Sequence, residues 1–299
     1  MSLVGKNIVI IGLGLIGGSV AKGLRAKNID VKISAVGRNE ESLVKAKKEG
    51  SIDNYFTGIE QINNQADLIL IAVPGLSVKS ILAQLKGILS ENTVVTDVSS
   101  VKSSVVEAAD EIYGGVPVNF VPGHPIAGSE NSGYAAAMEH LFENRKVILT
   151  PLKNTALEAI NLVTELWEVL DSEVICMDVH KHDEVLAATS HLPHLLAFSL
   201  VDTLSQQGET EEIFRYAAGG FRDFTRIASS DPQMWHDIFL ANSDATIKVL
   251  DSFTSDLEKL KQAIMNRNSE QLMTTFKRAK ASRDKFVSLS QASGKANKE

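Results

Sequence analysis

Cysteine is nearly absent: Cys176 is the single one in 299 residues, so no internal disulfide can form. That usage points to a reducing compartment and to a buried, inert thiol. Positive charge is also scarce. Thirty Lys and Arg face 37 Asp and Glu, for a net charge of −7 and a pI near 5.6. This disfavours nucleic acid and anionic membrane surfaces as partners. No stretch reaches the roughly 18 to 20 apolar residues of a membrane span. The apolar run from Ile8 to Ile16 lacks the basic leader and small-residue cleavage site of a signal peptide. A cytoplasmic protein is expected. Metal-ligand spacing is missing as well: His180-x-His182-Asp183 has no accompanying His-Glu-x-x-His or cysteine pair, and these residues could equally open a helix. No metal is expected.

What is present is a chain 44% hydrophobic, ample for a packed core, and long enough for two domains. Lys6 to Gly12 predicts a buried strand, and Leu15 opens a helix with Val20, Ala21 and Leu24 on one face. Between them lies Gly12-Leu13-Gly14-Leu15-Ile16-Gly17. Gly12 permits a tight turn, Gly14 lets a pyrophosphate approach the backbone, and Gly17 lets helix and strand pack closely. A glycine-rich turn used only for packing is the alternative. The position favours a dinucleotide site.

A second strand, Val31 to Val36, ends in Val36-Gly37-Arg38-Asn39. NAD-binding versions usually place an acid there, about 20 residues past the glycines. Its absence removes repulsion of a 2′-phosphate, and Arg38 offers a charged donor fork. NADP is therefore favoured over NAD. The alternative is a solvated Arg38 with NAD held by Asn39 or Glu40, although Asn39-Glu40-Glu41 also reads as a helix start.

Alternation continues through a strand at Ala66 to Pro74, a helix at Val78 to Leu85, and a strand at Val94 to Val98. The fold class expected is α/β, a Rossmann-type parallel sheet followed by an all-α domain, divided at 1–177 and 178–299. Ligands of such sheets bind outside the carboxyl ends of the strands. That places three loops on one rim: Val73-Pro74-Gly75, Ser99 to Lys102, and Pro122 to Glu130 around His124. Glycine and proline can aim His124 in a loop, and histidine exchanges protons near neutral pH. Thr155-x-x-Glu158 predicts a capping box, and Val174 to Met177 a further strand.

Beyond Asp178 the strand signals stop. A long apolar helix, Val185 to Leu204, contains Ser190-His191-Leu192-Pro193-His194, where the proline predicts a bend. Ser230-Asp231-Pro232-Gln233 predicts a capping box for a helix through Trp235 and on to Leu250. Ser269 to Leu289 predicts an amphipathic helix with Leu272, Phe276 and Phe286 in the core. Such helices suggest a homodimer. Arg222 and Arg226, around a glycine-rich turn, suit carboxylate binding or ion pairing with Asp223.

Five motifs in order, Gly12 to Ser19, Asp97 to Lys102, His124 to Glu130, Ser190 to His194 and Gly220 to Arg226, resemble the prephenate/arogenate dehydrogenase family of tyrosine biosynthesis. The resemblance covers nearly the whole chain. It implies oxidative decarboxylation of prephenate to 4-hydroxyphenylpyruvate, or of arogenate, without a metal. On the family's pattern His124 accepts the 4-hydroxyl proton and Ser100 orients it beside the nicotinamide. Arg226 binds the ring carboxylate. Ser190, His194 and Arg222 serve the side-chain end, Arg222 reaching in from a partner subunit, and Glu130 pairs with Arg226 in the empty site. His194 and Arg222, read as donors, favour the keto acid prephenate. The length leaves no room for a fused mutase or an amino-acid-sensing domain. Other two-domain reductases, or a nicotinamide-sensing binding protein without turnover, would not need His124 and Arg226 together.

Overall fold

The computed structural model describes residues 2–62, 66–129, 131–207 and 215–296. The chain forms two compact units, Met1–Thr246 and Ile247–Glu299.

In the first unit six strands share one sheet: β1 (Asn7–Ile11), β2 (Lys32–Val36), β3 (Asn54–Phe56), β4 (Leu68–Ile71), β5 (Val94–Asp97) and β6 (Phe120–Val121). Their order is β3-β2-β1-β4-β5-β6, with every pair parallel. This is the Rossmann order, and its direction of winding reverses between β1 and β4. Apart from Asn7 at the start of β1, β1 and β4 are apolar because helices cover both faces. Ile8, Ile10, Leu68 and Leu70 pack with α1 (Leu15–Ala26) and α5 (Leu157–Glu168), through Leu24 and Trp167. Val9, Ile11, Ile69 and Ile71 pack with α3 (Val78–Leu85) and α4 (Ser103–Tyr113), through Leu82 and Val105. On the rim, α2 (Glu40–Lys48) is capped by Asn39, whose side chain accepts from Ser42 N at 2.9 Å.

A second, smaller sheet follows. In it β7 (Gly123–Pro125) runs antiparallel to β8 (Lys146–Leu149), which pairs in parallel with β9 (Glu173–Cys176). The expected loop around His124 is thus partly a strand, with His124 in register opposite Ile148. Cys176, expected buried, is exposed at the end of the edge strand β9. The expected capping box at Thr155 is absent: Thr155 Oγ1 instead accepts from Leu152 N at 2.9 Å, and Ala156 precedes α5 without a side-chain cap.

The remaining elements are helical: α6 (Val179–Leu186), a π turn (Ala187–His191), α7 (Leu192–Ser205), α8 (Gly219–Thr225), α9 (Pro232–Ala241), α10 (Ser243–Met265) and α11 (Ser269–Ala296). The disturbance expected near Pro193 takes the form of the π turn, a widened turn that recurs at functional sites. The cap of α9 is Asp231, accepting from Met234 N at 3.1 Å, with Pro232 as first residue. The helix expected to reach Leu250 breaks at Asn242, whose ψ is 40°. By length and composition alone Val179–Ser205 would pass for a membrane span, against the expectation that no stretch would. It nonetheless buries His182, Asp183 and His191.

In the second unit Phe276 and Phe286, expected in a core, are 57% and 62% exposed. Phe276 lines an open apolar groove with Leu257, Leu260, Ile264, Met265 and Leu272 from the two helices, and two helices alone leave such a groove open to solvent. Leu257, Ile264 and Met265 are likewise exposed.

Gly17 is where helix meets strand most closely. A Cβ there would lie 2.2 Å from Gly12 O and 2.8 Å from Ile10 Cγ2. Gly17→Ala should therefore push α1 off β1. The expected outcome is a loss of about 1–3 kcal/mol in urea denaturation, together with weaker nucleotide binding by fluorescence titration.

Candidate active site

The rim at the carboxyl ends of β1, β4 and β5 carries the glycine loop, Val73-Pro74 and Ser99 to Lys102. Gly12 has φ +99°, and a Cβ there would lie 2.4 Å from Ala72 O, so only glycine fits. A Cβ at Gly14 would meet nothing within 4 Å, which leaves the backbone open on that side. No side chain caps the first turn of α1 and no acid sits in it. The helix start therefore offers its amides and positive end to an anion, and these residues fit a dinucleotide pyrophosphate. Leu13 is buried there, and Leu15 and Ile16 are half-buried. Arg38 is exposed at the end of β2, and the carbonyl of the Asn39 side chain is already engaged as a helix cap.

Just past β6 lies a buried polar cluster. Asp97, at the end of β5, pairs with Lys102 Nζ, and both side chains are fully buried. Lys102 Nζ also donates to Gly123 O at 2.6 Å. Asp97 accepts from Ser99 N at 2.8 Å and Gly123 N at 3.2 Å. The backbone on both sides of Gly123 is thereby fixed, which aims His124. Burial lowers the Lys102 pKa, against the pull of Asp97.

His124 is 8% exposed, and its Nδ1 lies 2.9 Å from Nε2 of His182. The His182 Nδ1 lies 2.7 Å from Asp183 Oδ1. Asp183 also accepts from Lys102 N and Ser103 N, each at 2.8 Å, at the start of α4. Burial, then His182 and Lys102, push His124 well below its ordinary 6.5. Burial likewise lowers His182, against the pull of Asp183. Burial alone would raise Asp183; the His182 ring and the α4 amides outweigh it and bring the carboxyl down to about 2. Asn242 Nδ2 donates to Asp183 O at 3.0 Å and lies 3.2 Å from His191 Nδ1. Burial holds His191 at about 4.

A second group gathers around Trp235. His194 stacks on it, ring centroids 3.7 Å apart at 23°. His194 Nδ1 lies 2.8 Å from Ser190 O. A carbonyl only accepts, so Nδ1 carries the proton and Nε2 of the neutral ring is an acceptor. This corrects the expectation of His194 as a donor. Burial lowers its pKa, and the nearby Arg226 adds to the lowering. Arg226 opens a 3₁₀ turn after α8, Arg222 is exposed on α8, and Ser100 is half-buried between β5 and α4. Glu130 lies outside the described residues. Asp97, His182, Asp183 and Trp235 join the site without having been expected there. Polar residues clustered at a strand end and an adjacent His-Asp pair were the available signals. Asp178, accepting from His180 N at 2.9 Å, supplies the helix start that the cluster suggested. Among the described residues no group of three or more His, Cys, Asp or Glu could hold a metal ion.

Comparison with known proteins bears on both halves of the chain. Residues 20–176 match the family model "Prephenate dehydrogenase, nucleotide-binding domain", and residues 178–278 match "Prephenate dehydrogenase, dimerization domain". A cyclohexadienyl dehydrogenase of Zymomonas mobilis is 38% identical over 281 residues, 93% of this chain and 95% of that protein. A prephenate dehydrogenase of Bacillus subtilis is 37% identical, over 95% of this chain and 77% of its own. The crystal structure of prephenate dehydrogenase from Aquifex aeolicus, in complex with hydroxyphenyl propionate and NAD+, superposes with a TM-score of 0.89 at 40% identity, covering 96% of this chain and 100% of that one.

The histidines make stability pH-dependent in a defined direction. The unfolded chain protonates His124, His182 and His191 near 6.5, whereas the fold holds all three lower, His191 at about 4. Their contribution is complete above 6.5 and is lost as pH falls. Urea midpoints should drop steadily from pH 7 to pH 5, with roughly two to three protons taken up on unfolding near pH 5.

Proposed function

The chain belongs to the prephenate dehydrogenase family, and from that premise we propose that it converts prephenate to 4-hydroxyphenylpyruvate with a nicotinamide nucleotide. The observation that carries this reading is a buried, neutral imidazole, His124, held just past the carboxyl end of β6 beside the glycine-loop rim.

Prephenate has an alcohol at C4 and a carboxylate at C1 across the ring. A nicotinamide nucleotide held by Gly12 to Gly17 would supply the acceptor for the hydride that leaves C4. His124 accepts the 4-hydroxyl proton, a contribution typically worth about 10²–10⁴ in rate. Loss of carbon dioxide makes the ring aromatic and drives the step, so no covalent nucleophile is asked of the chain. Arg226 binds the ring carboxylate through its planar fork. Ser100 lies beside the hydroxyl and nicotinamide. Ser190, His194 and Arg222 serve the side-chain end, Arg222 from a second copy. In this reading residues 1–177 hold the nucleotide, through Gly12 to Gly17, Val73 and Pro74, and residues 178–299 hold substrate and the dimer contact.

Two details are finer. Arg38, with no acid at the end of β2 and Asn39 spent as a cap, favours NADP. The NAD+ bound in the Aquifex relative favours the other nucleotide. For substrate, the acceptor Nε2 of His194 suits an ammonium group, which supports a second reading in which arogenate is used too. The Zymomonas relative, a cyclohexadienyl dehydrogenase, agrees with that reading. The acidic chain and its lone exposed thiol suit the cytoplasm.

Initial rates with prephenate and arogenate, each with NAD and NADP, test these readings together. Prephenate with NADP is expected to be fastest, and turnover of neither substrate would refute the proposal. His124→Asn should lower kcat by about 10²–10⁴ while nucleotide affinity stays within a few-fold. The exposed Phe276 and Phe286 suit a covering second copy. Phe276→Asp should shift the protein from dimer towards monomer in sedimentation velocity at micromolar concentration.

A further inference from the structure

The hydrogen bonds behind His124 have a direction that the atoms themselves fix. Asp183 is ionised and can only accept, so the proton in its 2.7 Å contact belongs to His182 Nδ1. A neutral imidazole carries one N–H, so His182 Nε2 is bare. The proton in the next contact, 2.9 Å, then belongs to His124 Nδ1. The same rule leaves His124 Nε2, on the other side of the ring, as a bare acceptor.

We propose that His182 and Asp183 are positioning residues that set the tautomer of His124, so that Nε2 is the atom that takes the substrate's hydroxyl proton. Asp183 then stabilises the resulting imidazolium through His182. The assignment rests on the reaction proposed above. In that reaction the O–H proton moves to Nε2 and the O–H electron pair becomes the C4–O double bond as the C4–H pair departs as hydride. The bond from C1 to its carboxylate then breaks. Its electron pair runs through the ring to the oxygen, which recovers the proton from His124.

The anchoring of Asp183 supports this role. Its two oxygens accept from the backbone amides of Lys102 and Ser103, so the carboxylate cannot swing away from His182 without opening the start of α4. A backbone donor cannot be lost by a rotamer change. The two imidazoles meet edge to face, ring centroids 5.1 Å apart at 64°, which suits one N–H pointing at the other ring's nitrogen.

The relay also has a failure mode. The groups facing His182 are Asp183 on its own helix, His124 from β7, Lys102 and Asp97 from the end of β5 and the loop after it, and His191 from the π turn. When His182 gains a second proton, its Nε2–H donates to His124 Nδ1. The single proton of His124 then sits on Nε2, and the base is blocked. The acid limb of kcat therefore belongs to the His124–His182 pair rather than to either ring.

The test uses the full-length enzyme and three variants. His182→Leu removes the acceptor. His182→Gln can still present a carbonyl oxygen to His124 Nδ1, and Asp183→Asn can present an N–H to His182 and reverse the relay. With prephenate, His182→Leu should lower kcat at least about 10²-fold with KM within a few-fold, and His182→Gln should recover part of that loss. Asp183→Asn should lower kcat and move the acid limb of the pH profile. Circular dichroism and nucleotide titration confirm that each variant is folded. Independently, nitrogen-15 spectra of ring-labelled histidine in the resting wild-type protein should show His124 protonated at Nδ1 and bare at Nε2. A proton on Nε2, or a His182→Leu variant with wild-type kcat and pH profile, overturns the assignment. A wild-type enzyme inert toward both substrates overturns the reaction instead, and the nitrogen spectrum still decides the tautomer.

Discussion

Placing a full cation where no water reaches it is the constraint on which this structure turns. Lys102 is completely buried, and in an apolar interior an isolated ammonium would shed its proton. Asp97 and the Gly123 carbonyl offset that cost, while Asp97 also gathers the amides of Ser99 and Gly123. One carboxylate and one amine thus tie three segments together: the end of β5, the loop before α4, and the start of β7. Removing either partner would strand the other charge, a loss of about 3–5 kcal/mol in comparable buried pairs. The position of the imidazole one residue further on follows from this knot.

The knot also explains why histidines can be kept neutral so close to ionised groups. Burial dominates at His124, His182 and His191, and at the first two the buried Lys102 cation opposes protonation further. Asp183 stays ionised in the same neighbourhood because it receives donors from a ring and from two backbone amides. Burial thus keeps the rings neutral, while the donors that Asp183 receives keep the carboxylate charged.

Much of the architecture was legible in the chain. Glycines between an apolar strand and a helix, then repeated strand-helix alternation, suffice for a parallel sheet, and the helix expected over Val78 to Leu85 forms over those same residues. Caps were less legible: Thr155 and Ser230 have the right side chains, but α5 starts without a side-chain cap and Asp231 takes the role at α9. The strand at His124 was hidden because three residues carry no periodicity, and its partner lies more than 20 residues downstream. The exposure of Phe276 and Phe286 was hidden for another reason. An amphipathic pattern says that a face is apolar without saying whether the same chain covers it. For the site, a motif supplied His124, whereas His182 and Asp183 needed three dimensions. The pairing of His124 with His182 spans 58 residues, and no local spacing encodes it.

The two amides that hold Asp183 belong to the opening residues of a helix, and helix ends fray more readily than interiors. Local opening of that first turn would free the carboxylate and scramble the ring protons while leaving the sheet and its cores intact. Readiness for catalysis thereby becomes a property of a few residues' exchange with solvent, separate from the global folding equilibrium. On warming, that opening would lower the competent fraction below the melting temperature and would reverse on cooling without refolding.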